Sequence, residues 1–353
     1  MRMKKYLAMF LAVLMLASFC GVYVNAADYY TIITDVSTVG RASGSTYDYY
    51  KNVYLVDNAN GPTLAVSSQS GVSLIREEST GLYFKDLNKN GKLDPYEDWR
   101  LSTLERAQNL VGMMDLDKKI ALMTHGTINA ENGTRFAVQR SSGKSTMAEG
   151  NNKVQEECET VDWGIPAVRS TDPRHTGVID AGYFDGEDTT ISRWPNQIAM
   201  TATYDPAVFT RFGEIVSAEY RAIGIQMMLG PQMDMITEPR WSRAGSSFTE
   251  DLVLNADVAG AFIEAMQTDT AEKPSLYGLD EDWGAGSVAT MAKHWPSGGN
   301  GEAGFDGHTD DGKFGVYPGN SFESVMDAFA NGAGFKPVYK DTTRQSASVM
   351  PYY

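Results

Sequence analysis

Cysteine is almost absent: the 353-residue chain has two, Cys20 and Cys158. Cys20 falls inside a leader segment, so one thiol is left in the mature chain. That excludes an internal disulfide and leaves stability to core packing. Bases are also scarce, 30 against 45 acids, for a formal net charge of −15. Nucleic acid and anionic bilayers both require a basic face, so neither is an expected partner. Beyond residue 26 no segment approaches the ~18 uninterrupted apolar residues of a membrane span. The general catalytic signatures H-E-x-x-H, P-loop and G-x-S-x-G are missing. A G-x-G-x-x-G does occur at Gly299, Gly301 and Gly304. A dinucleotide site needs an apolar helix to open there, and Phe305-Asp306-Gly307-His308-Thr309-Asp310-Asp311-Gly312 follows instead. No cofactor is expected for catalysis.

The leader comes first among the features that are present. Arg2, Lys4 and Lys5 make a positive start, Tyr6 to Phe19 is apolar, and Val24-Asn25-Ala26 suits a signal peptidase. Residues 1–26 therefore read as a secretory signal peptide cleaved after Ala26. The mature protein is expected outside the cytoplasm, extracellular or periplasmic, with no membrane attachment.

Residues 27–99 read as a β-rich segment. Tyr29 to Val36, Val53 to Val56 and Leu64 to Val66 are short β-branched and aromatic runs broken by Gly, Asn and Ser. Within it, Asp86 to Glu97 fits the calcium loop D-x-[DN]-x-[DN]-G-x5-E in full. Asp86, Asn88 and Asn90 would supply side-chain oxygens, Lys92 its carbonyl, Asp94 a direct or water-bridged contact, and Glu97 a bidentate clamp. The expected ion is a structural Ca2+. The competing reading is a set of Asx turns that leads into the next helix.

From residue 100 the period becomes helical. Ser102 and Glu105 make a capping-box pattern, and Leu104, Ala107, Val111 and Met114 follow at helical spacing. Residues 126 to 160 are polar and read as a long loop. Strand and helix then alternate. Strands are expected at 164–170, 225–229 and 288–292, and one begins at 348. Helices are expected from Asp205-Pro206, around 258–266 and around 322–329. This alternation implies parallel βα units, closing as a doubly wound sheet or as a (β/α)8 barrel. Four or five units fit before Tyr353.

Three segments follow expected strands, at the end where parallel α/β folds bind ligands. They are Asp172-Pro173-Arg174-His175, Glu238-Pro239-Arg240-Trp241-Ser242-Arg243 and Lys293-His294-Trp295-Pro296. An acid, several donors and aromatic neighbours suit a neutral polyhydroxylated ligand. Trp241 is a candidate for stacking on a sugar or for the core.

In that order, these segments resemble glycoside hydrolase family 3, whose commonest members are β-glucosidases. Met113-Met114-Asp115-Leu116-Asp117-Lys118-Lys119-Ile120, Gly164-Ile165-Pro166, Arg193-Trp194-Pro195-Asn196-Gln197 and Thr249-Glu250-Asp251 add to the likeness. The resemblance implies that residues 100–353 are the N-terminal part of a (β/α)8 TIM-barrel-type domain, truncated about halfway. It implies hydrolysis of terminal β-linked sugars with retention, by two carboxyl groups about 5–5.5 Å apart. Asp172, Arg240, Lys293 and His294 would grip the hydroxyls of an oligosaccharide or β-glucoside. The nucleophile, an Asp on a later strand, would lie beyond Tyr353, so the fragment alone should be inactive. The glucosidase branch takes its acid/base from a second domain. The β-N-acetylglucosaminidase branch uses a loop Asp–His pair, for which Asp306 and His308 stand in the corresponding place. A non-catalytic, calcium-stabilised carbohydrate-binding module is the contrasting expectation.

Overall fold

The computed structural model describes residues 30–43, 51–139, 147–173, 175, 191–269, 282–299, 301–339 and 342–352. The leader expected at 1–26 lies outside them.

The N-terminal part is β-structure, in two antiparallel sheets. One has the order β1 (Tyr30–Ile33), β5 (Ser73–Glu77), β6 (Tyr83–Asp86); the other runs β2 (Arg41–Ala42), β3 (Val53–Val56), β4 (Leu64–Ser67). Strand alternation drives Val56, Val66 and Leu74 into a shared core with Val36 and Val72. The chain then turns through 86–97 into α1 (Thr103–Met113) and α2 (Leu116–Leu122). The Ser102–Glu105 capping box forms in both directions and starts α1. Its apolar face is another matter. Leu104 is 66% exposed and Val111 47%, so among the described residues nothing covers them.

The second part is a curled parallel sheet of five strands in sequence order. These are β7 (Phe136–Val138), β8 (Val168–Thr171), β9 (Met227–Met228), β10 (Ala289–Trp295) and β11 (Ser348–Pro351). Helices α3 (Met147–Glu159), α4 (Gln197–Thr201), α5 (Pro206–Ala222), α6 (Leu252–Gln267) and α7 (Phe322–Gly332) join them. Five parallel strands in unbroken order with crossover helices are the front part of a TIM-barrel-type domain.

The loop expected at 126–160 is a correction: it contains β7 and α3. β7 is three residues long and exists through its pairing with β8, Phe136 opposite Val168 and Val138 opposite Ser170. α3 buries Met147, Cys158 and a polar residue, Asn151. Asn151 Nδ2 donates to the Ile223 carbonyl at 2.8 Å, an interaction that apolar periodicity does not reveal. α3 also carries the β-rich segment, through Lys85 to Glu159, Ser67 to Glu156, and Lys89 to the Thr160 carbonyl just beyond it.

The core lies between α5, α6 and the sheet. Asp205 caps α5 from its side chain, with Pro206 in the first turn. Phe209, Phe212, Val216 and Tyr220 on α5 meet Val258, Phe262 and Met266 on α6. Phe212 stacks on Phe262 at 4.9 Å between centroids. Gly213 lets the two helices approach: a Cβ there would lie 2.7 Å from that of Ala265 and 3.0 Å from the Phe262 carbonyl oxygen.

Candidate active site at the strand ends

Parallel register puts the C-terminal ends of β8, β9, β10 and β11 side by side. Thr171 lies opposite Met228, Thr290 opposite Met228, and Lys293 opposite Met350. Residues just past those ends therefore share one rim.

Asp172 follows β8, and Lys293 lies near the end of β10. Lys293 Nζ donates to Asp172 Oδ1 at 2.5 Å, with the lysine side chain 4% exposed and the aspartate 24%. Burial pushes the Lys293 ammonium below its ordinary value, and Asp172 pulls it back. His294, buried next to it, places Nδ1 3.0 Å from Asp234 Oδ2. Burial likewise lowers the His294 pKa, against the hydrogen bond that the ring gives to Asp234. Asp234 lies in the loop after β9 and is fully buried. It also accepts the backbone N–H groups of His294, at 3.3 Å, and of Gly298.

The structure therefore brings Asp172, Lys293 and His294 together, and it leaves Arg240 out. The chain turns at Glu238–Trp241, with the Trp241 N–H bonded to the Glu238 carbonyl at 3.1 Å. That sends Trp241 into the core, 2% exposed, so of its two expected roles it takes packing. Arg240 points outward with its side chain 69% exposed, and Glu238 two residues away captures its guanidinium at 2.9 and 2.7 Å. The arginine at the rim is Arg243. Its Nη2 lies 2.7 Å from Gln232 Oε1 and 3.3 Å from His294 Nε2, and its Nη1 is 4.0 Å from Asp306. Sequence reading missed Arg243, Gln232 and Asp234. The signal for Asp234 was a single acid among Met233, Met235 and Ile236, an apolar stretch that can only be buried.

The loop after β10 returns over this rim. Asp306 hydrogen-bonds the His308 ring and, at 3.0 Å, the His308 N–H. Burial works to raise the Asp306 carboxyl. The His308 contacts, and then Arg243, outweigh it and hold the group below its usual range. The Tyr352 hydroxyl, just past β11, accepts the Gly307 N–H at 2.8 Å and ties the loop to the strand ends.

The 86–97 loop lies against Thr160 and Gly164, ahead of β8, and closes on itself. Asp86 accepts the N–H groups of Asn90 and Gly91, both at 2.9 Å. Asn88 and Asn90 donate to Asp94 Oδ2, each at 2.6 Å. Glu97 accepts from Leu87 at 2.7 Å and from Asp94 at 2.9 Å, and burial pushes its carboxyl up to about 7. The set of oxygens is of the hard type calcium takes. As folded, however, no group of three or more acids, histidines or cysteines surrounds a common point among the described residues.

Residues 122–329 match the glycosyl hydrolase family 3 N terminal domain. The chain belongs to this family. It is 36% identical over 309 residues to a periplasmic beta-glucosidase/beta-xylosidase of Dickeya chrysanthemi, covering 78% of this chain and 44% of that protein. It is 30% identical over 290 residues to a probable beta-glucosidase C of Aspergillus oryzae, covering 75% of this chain and 42% of the relative. The family 3 chain here thus spans less than half the length of these curated relatives. Among solved structures, a β-glucosidase from Erythrobacter marinus superposes with a TM-score of 0.55 at 22% identity, covering 73% of this chain and 33% of the other. A β-glucosidase from Listeria innocua bound to isofagomine gives 0.53, also at 22%, covering 70% and 32%. These likenesses show the family 3 barrel fold. Among the described residues no helix is long and apolar enough to cross a membrane.

Proposed function

We propose that this chain forms the sugar-binding half of a secreted, retaining β-glucosidase-type hydrolase, with the nucleophile supplied from outside these 353 residues. The observation that carries the reading is the Asp172–Lys293 pair at 2.5 Å, with His294 beside it, at the ends of adjacent parallel strands. Asp172 accepts, and Lys293 and Arg243 donate, so together they suit vicinal hydroxyls. The relatives named as glucosidases support the substrate class. Turnover of an aryl β-glucoside by the whole protein, lost in Lys293→Met with folding intact, is the expected result. A whole protein that hydrolyses no β-glycoside overturns the reading and leaves the binding-module alternative.

Asp306 and His308 are proposed as the acid/base pair. The support is their mutual hydrogen bond and the approach of Arg243, which links the loop to the sugar rim. Loop placement suits a proton shuttle, since Asp306 approaches Arg243 at the rim. For the 86–97 loop we propose a structural calcium site, on the strength of the complete residue pattern. Calcium would have to replace the amide contacts of Asn88 and Asn90 to Asp94.

A further inference from the structure

Arg243 stands at the rim because it is held from two sides. Its Nη2 donates to Gln232 Oε1 at 2.7 Å and lies 3.3 Å from His294 Nε2. A guanidinium cannot accept, so Nε2 must present its lone pair and the ring proton sits on Nδ1. Asp234 enforces that form of the ring. It is fully buried, its Oδ2 lies 3.0 Å from Nδ1, and a carboxylate has no hydrogen to give. Its Oδ1 accepts the backbone N–H groups of His294 and Gly298, which hold the carboxylate in place. Gln232 is fixed as well: its amide donates to the Arg243 carbonyl at 3.1 Å and to Ser247 Oγ at 3.0 Å. Both hydrogens of Arg243 Nη2 are thus used inside the protein. The other terminal nitrogen, Nη1, is left on the side of the loop after β10, 4.0 Å from Asp306. The neutral ring has one lone pair, and Arg243 occupies it.

We propose that His294 is a positioning residue for Arg243 and not itself a sugar ligand. Asp234 fixes the ring, the ring and Gln232 fix Nη2, and Nη1 then meets a sugar hydroxyl beside the Lys293 ammonium. The proposal rests on the reading of this rim as a sugar site, and it departs from the expectation that His294 grips a hydroxyl. A single acceptor on Nη2 would let the planar guanidinium swing about one hydrogen bond, whereas two acceptors set its plane. Adjacent residues therefore have different tasks. Lys293 donates to the ligand, and His294 acts through an arginine 51 positions earlier.

Two substitutions of His294 separate this role from a structural one, because each keeps half of the ring's bonding. Asn puts an amide where Nδ1 stood, so it keeps a donor for Asp234 and removes the acceptor for Arg243. Gln reaches as far as Nε2, so it keeps an acceptor for Arg243 and leaves Asp234 short of a donor. The readout is competitive inhibition of the whole protein by glucose. Arg243→Ala and His294→Asn should each weaken it by about tenfold or more, the contribution of one charged hydrogen bond. His294→Gln should lose less affinity than His294→Asn, although it should melt lower. A merely structural ring predicts the reverse order of affinity, and that order overturns the proposal. Adding His294→Asn to Arg243→Ala should weaken inhibition no further. Additive losses would mean that His294 meets the sugar itself, which also overturns it. Sugar-free crystal structures of the whole protein, wild type and His294→Asn, give a second readout. The Arg243 guanidinium should leave its wild-type position in the variant, and an unmoved guanidinium refutes the role. If glucose does not inhibit the wild type, the sugar reading fails, and the place of Arg243 in the variant crystal still decides what His294 does.

Discussion

Lys293 and Asp172 are 121 positions apart and meet at 2.5 Å across the ends of β10 and β8. A lysine side chain only 4% exposed is tolerable there because that carboxylate faces it. Asp172→Asn should strand the ammonium. We expect a loss of about 3 kcal/mol in stability, at the low end for breaking a buried pair because Asp172 is partly solvated. Denaturant unfolding of wild type and variant measures it, and an unchanged midpoint would show the pair to be without structural weight.

The two arginines of the Pro239–Arg243 stretch should part company. Arg240 forms an exposed pair with Glu238. Arg240→Ala should leave hydrolysis by the whole protein within about twofold of wild type and stability within about 1 kcal/mol. Arg243→Ala removes a donor at the rim and should lower kcat/KM by at least about tenfold, the value of one charged hydrogen bond. Equal effects of the two substitutions would refute the placement of Arg243 at the site.

His308→Ala should slow substrates with poor leaving groups far more than activated aryl glycosides, because only the former need a proton in the transition state. Equal losses on both would assign the pair to binding or folding. An unchanged rate would return the acid/base role to a carboxyl group elsewhere in the whole protein.

Calcium should raise the melting temperature of the protein, and chelator should lower it. At a hundredfold excess over its dissociation constant, one ion adds about 2.7 kcal/mol. Glu97→Gln should abolish the difference. A melting curve indifferent to both calcium and chelator would leave the loop to its own hydrogen bonds.

Acid should cost stability through His294. Its folded pKa is lowered, first by burial and then by Arg243 and Lys293 against the pull of Asp234. Below the ordinary histidine value of about 6.5 the unfolded chain takes up a proton that the folded one resists. The unfolded state then binds more protons, so stability falls as pH drops through that value. Melting curves between pH 8 and 5 should show a shallower decline for His294→Gln than for wild type. Parallel declines would place the acid sensitivity elsewhere.

Some features were decided locally and could be read from the chain alone. The capping box at Ser102 and Glu105 forms within four residues, and the Asp205–Pro206 start of α5 needs only its own first turn. The apolar faces of α5 and α6 are long enough for period 3.6 to stand out, and the order of the strand-end segments carried the family. β7 and α3 were not legible. Three residues have no period, and β7 exists because β8 offers it hydrogen bonds. α3 is seated partly by Asn151 on Ile223, 72 positions away. The choice between Arg240 and Arg243 was likewise tertiary. Both follow the same strand, and only the turn over buried Trp241 aims one at solvent and the other at His294. Asp234 makes the same point. Its residue type says that it needs a partner, but only the meeting of the β9 loop with β10 shows that the partner is the ring of His294. Short-range hydrogen bonds and helical spacing are properties of neighbours in sequence, whereas a buried charge is satisfied by whatever the fold brings to it.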